Sequence, residues 1–449
     1  MIGGGDRGGG SMTDYARGMS LALPLLVLVV ASLGLAYRVE PFAGWYFQWA
    51  WWCYVLAVDA ANHRLAGRSL LRDEPRRFAA LAAVSVVLWT AFEAFNLRLG
   101  NWYYVMDHPV RAARYAGGVV AFATVLPAIL ETDELLARLR LPRSARVPPL
   151  AWSRGRSAVA VLVGVASLAL PLAWPDLFFA LTWVALAALV EPFNRRHAAR
   201  SFLRELERGD AAPLARVLLA GLACGGLWET WNQWARVKWI YTVPGFESLK
   251  VFEMPLLGFL GFPPFAVGCV AAVAGLEALY RRASGHAARR RALLVALVVS
   301  GAGGTIAVFE AADAVTVDSY YAPVAGLEVL PPADRSSLAS EGLESPEELL
   351  RALGGEAGLL EWSERTGIET EALRRHRERV ALVMHRGLGE RRALQLEALG
   401  IRSRQELARW SPEALAAALR QRGKATPRDR FLERRVRVWL EGLPGSASE

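Results

Sequence analysis

Runs of about 20 apolar residues begin near Leu21, Gly44, Phe78, Tyr115, Ala158, Leu177, Leu214, Pro255 and Ala292, and each is bounded by polar or charged residues. A bilayer core of about 30 Å takes roughly 20 residues of helix, because backbone N–H and C=O groups in hydrocarbon must be paired within the segment. The pattern predicts an all-α, polytopic transmembrane bundle of about nine helices, several with Trp or Tyr at their ends, where amphipathic rings favour the interface. Residues 255–265 are rich in proline and glycine, so that span is expected to enter as broken helix or as a re-entrant segment. Beyond residue 349 the pattern changes to charged residues alternating with apolar ones at helical spacing, which predicts a soluble all-α domain over 347–442. Residues 322–346 are rich in Pro, Ser and small side chains and read as a linker.

Charge gives the bundle a direction. Arginines crowd the loops 64–77, 138–156, 195–208 and 281–291, and the loops between them are poorer in charge. Cytoplasmic loops carry the Lys/Arg excess, so these four are expected inside, with the N-terminus. An odd number of spans then puts the C-terminal domain outside. The excess of 52 Lys and Arg over 43 Asp and Glu is accounted for by those loops, without nucleic acid. All three cysteines lie in apolar segments, which argues against disulfides and against a zinc site. Residues 1–19 read as a Gly-rich tail with no cleavage site following the first apolar run, so that run is expected to be retained.

The chain also repeats itself. Asp59-x-x-Asn62-x-Arg64-x-x-x-Arg68-Ser69 returns as Glu191-x-x-Asn194-x-Arg196-x-x-x-Arg200-Ser201. Phe92-Glu93-x-Phe95-Asn96 returns as Trp228-Glu229-x-Trp231-Asn232. Trp102-x-Tyr104 returns as Trp239-x-Tyr241, and Glu134 with Arg138 returns as Glu277 with Arg281. Order and spacing hold over about 80 residues, which predicts two tandem four-helix repeats. They span 20–140 and 157–282, with a basic loop at 141–156 between them and an extra transmembrane helix at 292–314. Four helices per unit keep both copies in the same sense, so a two-fold axis along the membrane normal would relate them.

Candidate chemistry sits on the repeated positions. Glu93 and Asn96 share one helix face, as do Glu229 and Asn232. An ionisable residue in a span usually faces the bundle interior or a wet cavity. Phe92, Phe95, Trp102, Trp228, Trp231, Trp234, Trp239 and Tyr241 are expected around these acids, and aromatic faces stabilise a nearby cation. The same pairs are equally consistent with bonds from helix to helix at a half-solvated end. Asp59, Asn62 and Arg64, with Glu191, Asn194 and Arg196, read as an interfacial ion pair at each helix end, or else as a headgroup site. Glu253, ahead of Met254-Pro255 and the broken span, is a further acid candidate. Glu131, Glu310 and Asp313 are acids at membrane edges. No phosphate loop, nucleophile elbow or dinucleotide fingerprint occurs, and no His pair has ligand spacing, so neither a metal nor a cofactor is expected.

Two stretches resemble known families. Gly387-Leu388-Gly389, followed by Ala393, Leu396, Gly400 and Ile401, resembles a helix-hairpin-helix motif, and residues 358–386 fit a paired arrangement in an uncharacterised family of such domains. In DNA-binding relatives the hairpin N–H groups contact phosphate. Here Glu390 follows the hairpin, so a protein partner or self-association through 347–442 is expected ahead of nucleic acid. Trp228-Glu229, Trp239-x-Tyr241 and Glu253-Met254-Pro255 follow the order of motifs in duplicated lycopene cyclase-type membrane proteins. Leu256 and Leu257 stand where those cyclases carry a Glu pair. What the resemblance implies is a mechanism class, in which a buried acid protonates an isoprenoid double bond and aromatic rings stabilise the carbocation.

Three functions are therefore expected candidates for a protein of a bacterial inner membrane in contact with membrane lipid. One is an enzyme acting on a hydrophobic isoprenoid or lipid, with Glu93, Glu229 and Glu253 as acids and Asn96 and Asn232 orienting them. The second is a transporter or channel using the same acids for a cation or a proton-coupled solute. The third is a scaffold that recruits partners through its C-terminal domain.

Overall fold

The computed structural model describes residues 12–105, 108, 110–244, 249–283, 287–313, 316–317, 323–421 and 431–443. In chain order its elements are α1 (Met12–Ala36), α2 (Tyr46–Ala66), α3 (Leu70–Asp73), α4 (Pro75–Leu99), β1 (Trp102–Val105), α5 (Arg111–Phe122) and α6 (Val125–Arg138). Then come α7 (Arg154–Ala173), α8 (Pro175–Phe178), α9 (Thr182–His197), α10 (Phe202–Glu207), α11 (Ala212–Trp234), β2 (Lys238–Tyr241), β3 (Lys250–Val251), β4 (Met254–Pro255), α12 (Phe262–Ala283) and α13 (Ala287–Asp313). The rest is α14 (Pro332–Ser340), α15 (Pro346–Ala352), α16 (Gly355–Thr366), α17 (Thr370–Val383), α18 (Glu390–Glu397), α19 (Arg404–Leu407), α20 (Pro412–Gln421) and α21 (Leu432–Leu440). The chain divides into two compact units: residues 1–99, 117–236 and 248–308, and residues 100–116, 237–247 and 309–449.

The first unit is helical and apolar. Six helical segments among the described residues are long and apolar enough to cross a membrane: Pro75–Leu99, Arg111–Arg138, Arg154–Ala173, Pro175–His197, Leu256–Ala283 and Leu294–Asp313. The nine expected segments are all helical, but α1 contributes only a shorter apolar stretch, Leu21–Ala36. Helices α2 and α11 have the length, 21 and 23 residues. They fall short in apolarity because they carry Trp side chains and the buried polar residues Asp59, Asn62, Glu229 and Asn232. The outward face is the reverse of a soluble protein's: Leu25, Val29 and Leu33 on α1, Leu162 and Val163 on α7, and Val298 and Val299 on α13 are exposed. Exposed apolar side chains on helices of this length are consistent with a membrane protein.

Close helix contacts are made through glycine. A Cβ on Gly225 of α11 would overlap the Phe262 ring of α12, and one on Gly221 would lie 2.7 Å from the Phe262 carbonyl oxygen. Where broken helix was expected, the chain forms a two-residue turn at Phe252-Glu253 between β3 and β4, then 3-10 helix over Leu256–Gly261, then α12. Helix α1 starts at Met12, inside the stretch expected as tail; residues 1–11 of that stretch lie outside the described residues.

The second unit corrects two expectations. It is not wholly helical, because β1 and β2 form an antiparallel pair. Trp102-Tyr103-Tyr104-Val105 and Lys238-Trp239-Ile240-Tyr241 are aromatic and β-branched, which suits a strand, but four residues are too few to show a period. Nor do the residues of the expected linker hang free. Val324, Leu327, Leu330 and Leu338 are fully buried in one core with Leu349, Leu373, Leu396 and Trp439. The prolines start a helix there, with Pro332 in the first turn of α14. Ser345 and Ser403 form capping boxes with Glu348 and Glu406, closing the amide ends of α15 and α19.

Candidate functional site

Within the first unit, the two acids of the repeated Phe/Trp-Glu motif are buried. Glu93 is 3% exposed and Glu229 is fully buried, with Asn96 and Asn232 buried beside them. One helical turn before Glu93, Trp89 brings its indole N–H onto the carboxylate, 3.0 Å from Oε1. The Trp89 ring lies 4.9 Å from Trp228, the neighbour of Glu229 in sequence. Trp228 in turn packs at 5.6 Å on Trp51 of α2, and Trp51 meets Trp231 edge-to-face at 4.7 Å. Phe92 stacks on Trp183 of α9 at 5.4 Å and meets Phe265 of α12 at 5.1 Å. Five helices thus contribute rings to one aromatic cluster that contains both acid-bearing turns. Tilted and edge-to-face rings at 4.5–7 Å are the favoured aromatic geometry, so the cluster is stable as built.

Other expected members lie elsewhere. Phe95 is half-buried and Trp234 is exposed. Trp102, Trp239 and Tyr241 are buried in the second unit. Glu253 is buried in the turn between β3 and β4. Trp51, Trp89, Trp183 and Phe265 were not among the expected residues. Trp89 had a signal, its i−4 spacing from Glu93; the others become neighbours only through tertiary packing.

The acids at the Arg-rich ends form two equivalent arrangements. Asp59 accepts from the Ser69 hydroxyl at 2.9 Å and from the Leu71 amide at 2.8 Å. Glu191 accepts from the Ser201 hydroxyl at 2.9 Å and from the Leu203 amide at 3.1 Å. Each carboxylate therefore holds the start of the short helix that follows, which is the favourable place for negative charge. Asn62 donates to the Glu131 carbonyl at 3.0 Å, and Asn194 donates to the Ala271 carbonyl at 2.8 Å. Arg64 and Arg196 are exposed; Asp59 bonds to Ser69 and backbone, and Glu191 to Ser201, backbone and the Asn194 amide at 3.1 Å, not to these arginines. Arg138 caps the end of α2 through the carbonyls of Asn62 and Arg68.

Two acids outside the repeat motifs are also engaged. Asn62 Nδ2 lies 2.7 Å from the buried Glu131 carboxylate. Asp133 receives Arg200 at 2.7 Å and Arg216 at 2.8 Å. Among the described residues, no group of three or more His, Cys, Asp or Glu is placed to hold a metal ion.

In the second unit the two Trp-x-Tyr motifs face each other. The register sets Trp102 against Tyr241 and Tyr104 against Trp239, so like motifs cross in opposite directions. Such a pairing is two-fold symmetric by construction.

The chemistry open to the acid–aromatic cluster follows from its parts. A carboxyl group among rings has few competing solvent contacts, and rings in contact with a cation contribute roughly 0.5–2 kcal/mol each. The cluster suits a group that gives or takes a proton beside a hydrophobic molecule.

Residues 329–442 match the model of a domain of unknown function, DUF4332. A search of curated proteins gave no match, and neither did a search of solved structures.

Proposed function

We propose that this is an integral membrane protein of about nine spans, built from two tandem four-helix repeats, and that its acid–aromatic cluster does proton chemistry on a hydrophobic substrate of the isoprenoid or lipid class. The observation that carries the reading is the burial of Glu93 and Glu229 within one ring cluster, Trp89–Trp228, in an otherwise apolar helical unit. A buried carboxyl is costly in a membrane and is kept where it works. The duplication is supported by the matched bonds of Asp59 and Glu191 and by the symmetric crossing of the Trp-x-Tyr strands. In this reading Glu229 or Glu93 is the proton donor, Asn232 and Asn96 orient them, and the rings of Trp228, Trp231, Trp89 and Phe92 stabilise positive charge on the substrate. The location is a bacterial inner membrane, with the Arg-rich loops and the N-terminus cytoplasmic.

The test is mass spectrometry of lipids and pigments from cells carrying wild type, Glu229→Gln or no protein. A product present with wild type and reduced roughly 100-fold or more in the variant is expected, the range for loss of a general acid. A second reading, proton or cation transport, is favoured by the buried Asp59, Asn62 and Glu131 group on α2 and α6. An unchanged lipid profile together with an ion flux in proteoliposomes, lost on Glu229→Gln, would replace the first reading by the second.

A further inference from the structure

We infer that residues 329–442 form a clasp: the turn at 387–389 and α21 grip the paired Trp-x-Tyr strands and hold the two repeats together on the membrane face opposite the Arg-rich loops. Contacts inside the second unit supply the grip. The Tyr103 hydroxyl of β1 donates to the Gly387 carbonyl at 3.3 Å, and the Trp439 indole of α21 donates to the same oxygen at 3.1 Å. Arg435 lies 4.3 Å over the Tyr103 ring. Tyr103, Val105, Ile240 and Val438 share one buried cluster, so both strands are packed against α21. A single guanidinium nitrogen of Arg434 is 3.4 Å from the carbonyl of Gly100, before β1, and 3.4 Å from that of Thr242, after β2. One side chain thus ties the segment following α4 to the segment following α11.

The side of the membrane follows from chain length. Strand β1 starts three residues after α4 ends, and β2 starts four after α11 ends (102 less 99, 238 less 234). Val317, four residues after α13, pairs with β1 through its amide on Tyr104 at 3.0 Å. Three or four residues reach at most about 14 Å, less than half the bilayer core. The ends of α4, α11 and α13 therefore share one face. The loops at the other ends of these helices are Arg-rich: 64–77, 195–208 and 281–291. The turn is also occupied. Tyr103 and Trp439 take the Gly387 carbonyl, and the Glu390 carboxylate accepts from the Val329 amide at 3.2 Å. In this fold the hairpin's Gly387 carbonyl is taken by the chain's own β1 and α21, and its Leu388 and Gly389 amides donate to the His385 and Val383 carbonyls.

The sidedness rests on the membrane reading but not on any enzymatic one, so an unchanged lipid profile leaves it standing. The experiment uses the full chain in cells and in inverted vesicles, with a membrane-impermeant maleimide. Glu361→Cys on the exposed face of α16 and Arg143→Cys in the exposed loop after α6 are the probes; the three native cysteines are buried, so wild type is the blank. Labelling from opposite sides is expected, with both probes reactive once detergent dissolves the membrane. Labelling from the same side would overturn the inference. The grip is tested by hydrogen exchange on the purified chain with Arg434→Ala. Exchange across 102–105 and 238–241 is expected to rise roughly fivefold or more. If exchange there is unchanged, the clasp is refuted. Binding of a fluorescent DNA or RNA duplex that is lost on Arg386→Ala would refute it as well.

Discussion

Gly387→Ala is the substitution whose cost can be worked out most directly. Gly387 has φ +67, the left-handed region, where a Cβ costs roughly 1–2 kcal/mol. The added Cβ would also overlap the Tyr103 hydroxyl, so that side chain must leave and its bond to the Gly387 carbonyl is lost. A neutral hydrogen bond contributes about 1 kcal/mol. The sum is about 2–3 kcal/mol, which corresponds to roughly 30- to 160-fold faster opening. Hydrogen exchange of α17 and α18 in the detergent-solubilised full chain reads that opening directly. The informative control is Tyr103→Ala. In its background Gly387→Ala keeps the backbone strain but has no ring to displace, so its cost should drop by about 1 kcal/mol or more. If Gly387→Ala costs the same with and without Tyr103, the turn does not bear on β1 and the contact between them is energetically empty.

Other outcomes follow from single contacts. His376 pairs with Asp334 at 2.7 Å, yet burial, the largest influence, holds its pKa below the ordinary imidazole range; burial does the same to His385. The unfolded chain takes up protons first as pH falls below about 6.5, so stability of the second unit should be constant above that pH and decline below it. Thermal melts of wild type and His376→Gln between about pH 7.5 and 5 check this, and a flat wild-type profile would contradict it. Ser69→Ala and Ser201→Ala each remove one bond to a buried carboxylate, and each should cost about 1.5–3 kcal/mol. Thermal stability in detergent should fall by similar amounts in the two, and a large difference would break the equivalence of the arrangements. Gly225→Leu drives a side chain into the Phe262 ring where α11 meets α12, and should lower folded yield sharply, while Gly226→Ala, with open space around its Cβ, should not.

Legibility differed by feature for physical reasons. The apolar runs showed where helices lie, because a span must satisfy its backbone internally and that demand writes itself into about 20 consecutive residues. The repeated Asp/Glu-x-x-Asn and Ser spacing set Asp59 and Glu191 at matching positions of the sequence. It did not show that their partners are Ser69 and Ser201; the arginines nearby looked the better match by charge, and geometry gave them to solvent. Glu93 and Glu229 were legible because a carboxylate in an apolar run is costly. Trp51, Trp183 and Phe265 were not, since a ring in a span looks alike whether it meets lipid or a neighbouring ring.

By itself, then, the order of residues determines the apolar helical segments, the two acid-bearing turns and the presence of a helical C-terminal domain. Those are local or periodic properties, fixed by what each segment must do with its own backbone and charge. Tertiary structure alone decided that Trp102 faces Tyr241 and Tyr104 faces Trp239, and that the Gly387 turn receives Tyr103. It also decided that Val324 and Leu327 belong to a core and not to a linker. Each of these joins residues far apart in the chain. Such a contact depends on what the rest of the fold brings within reach, and no short window of sequence carries that information.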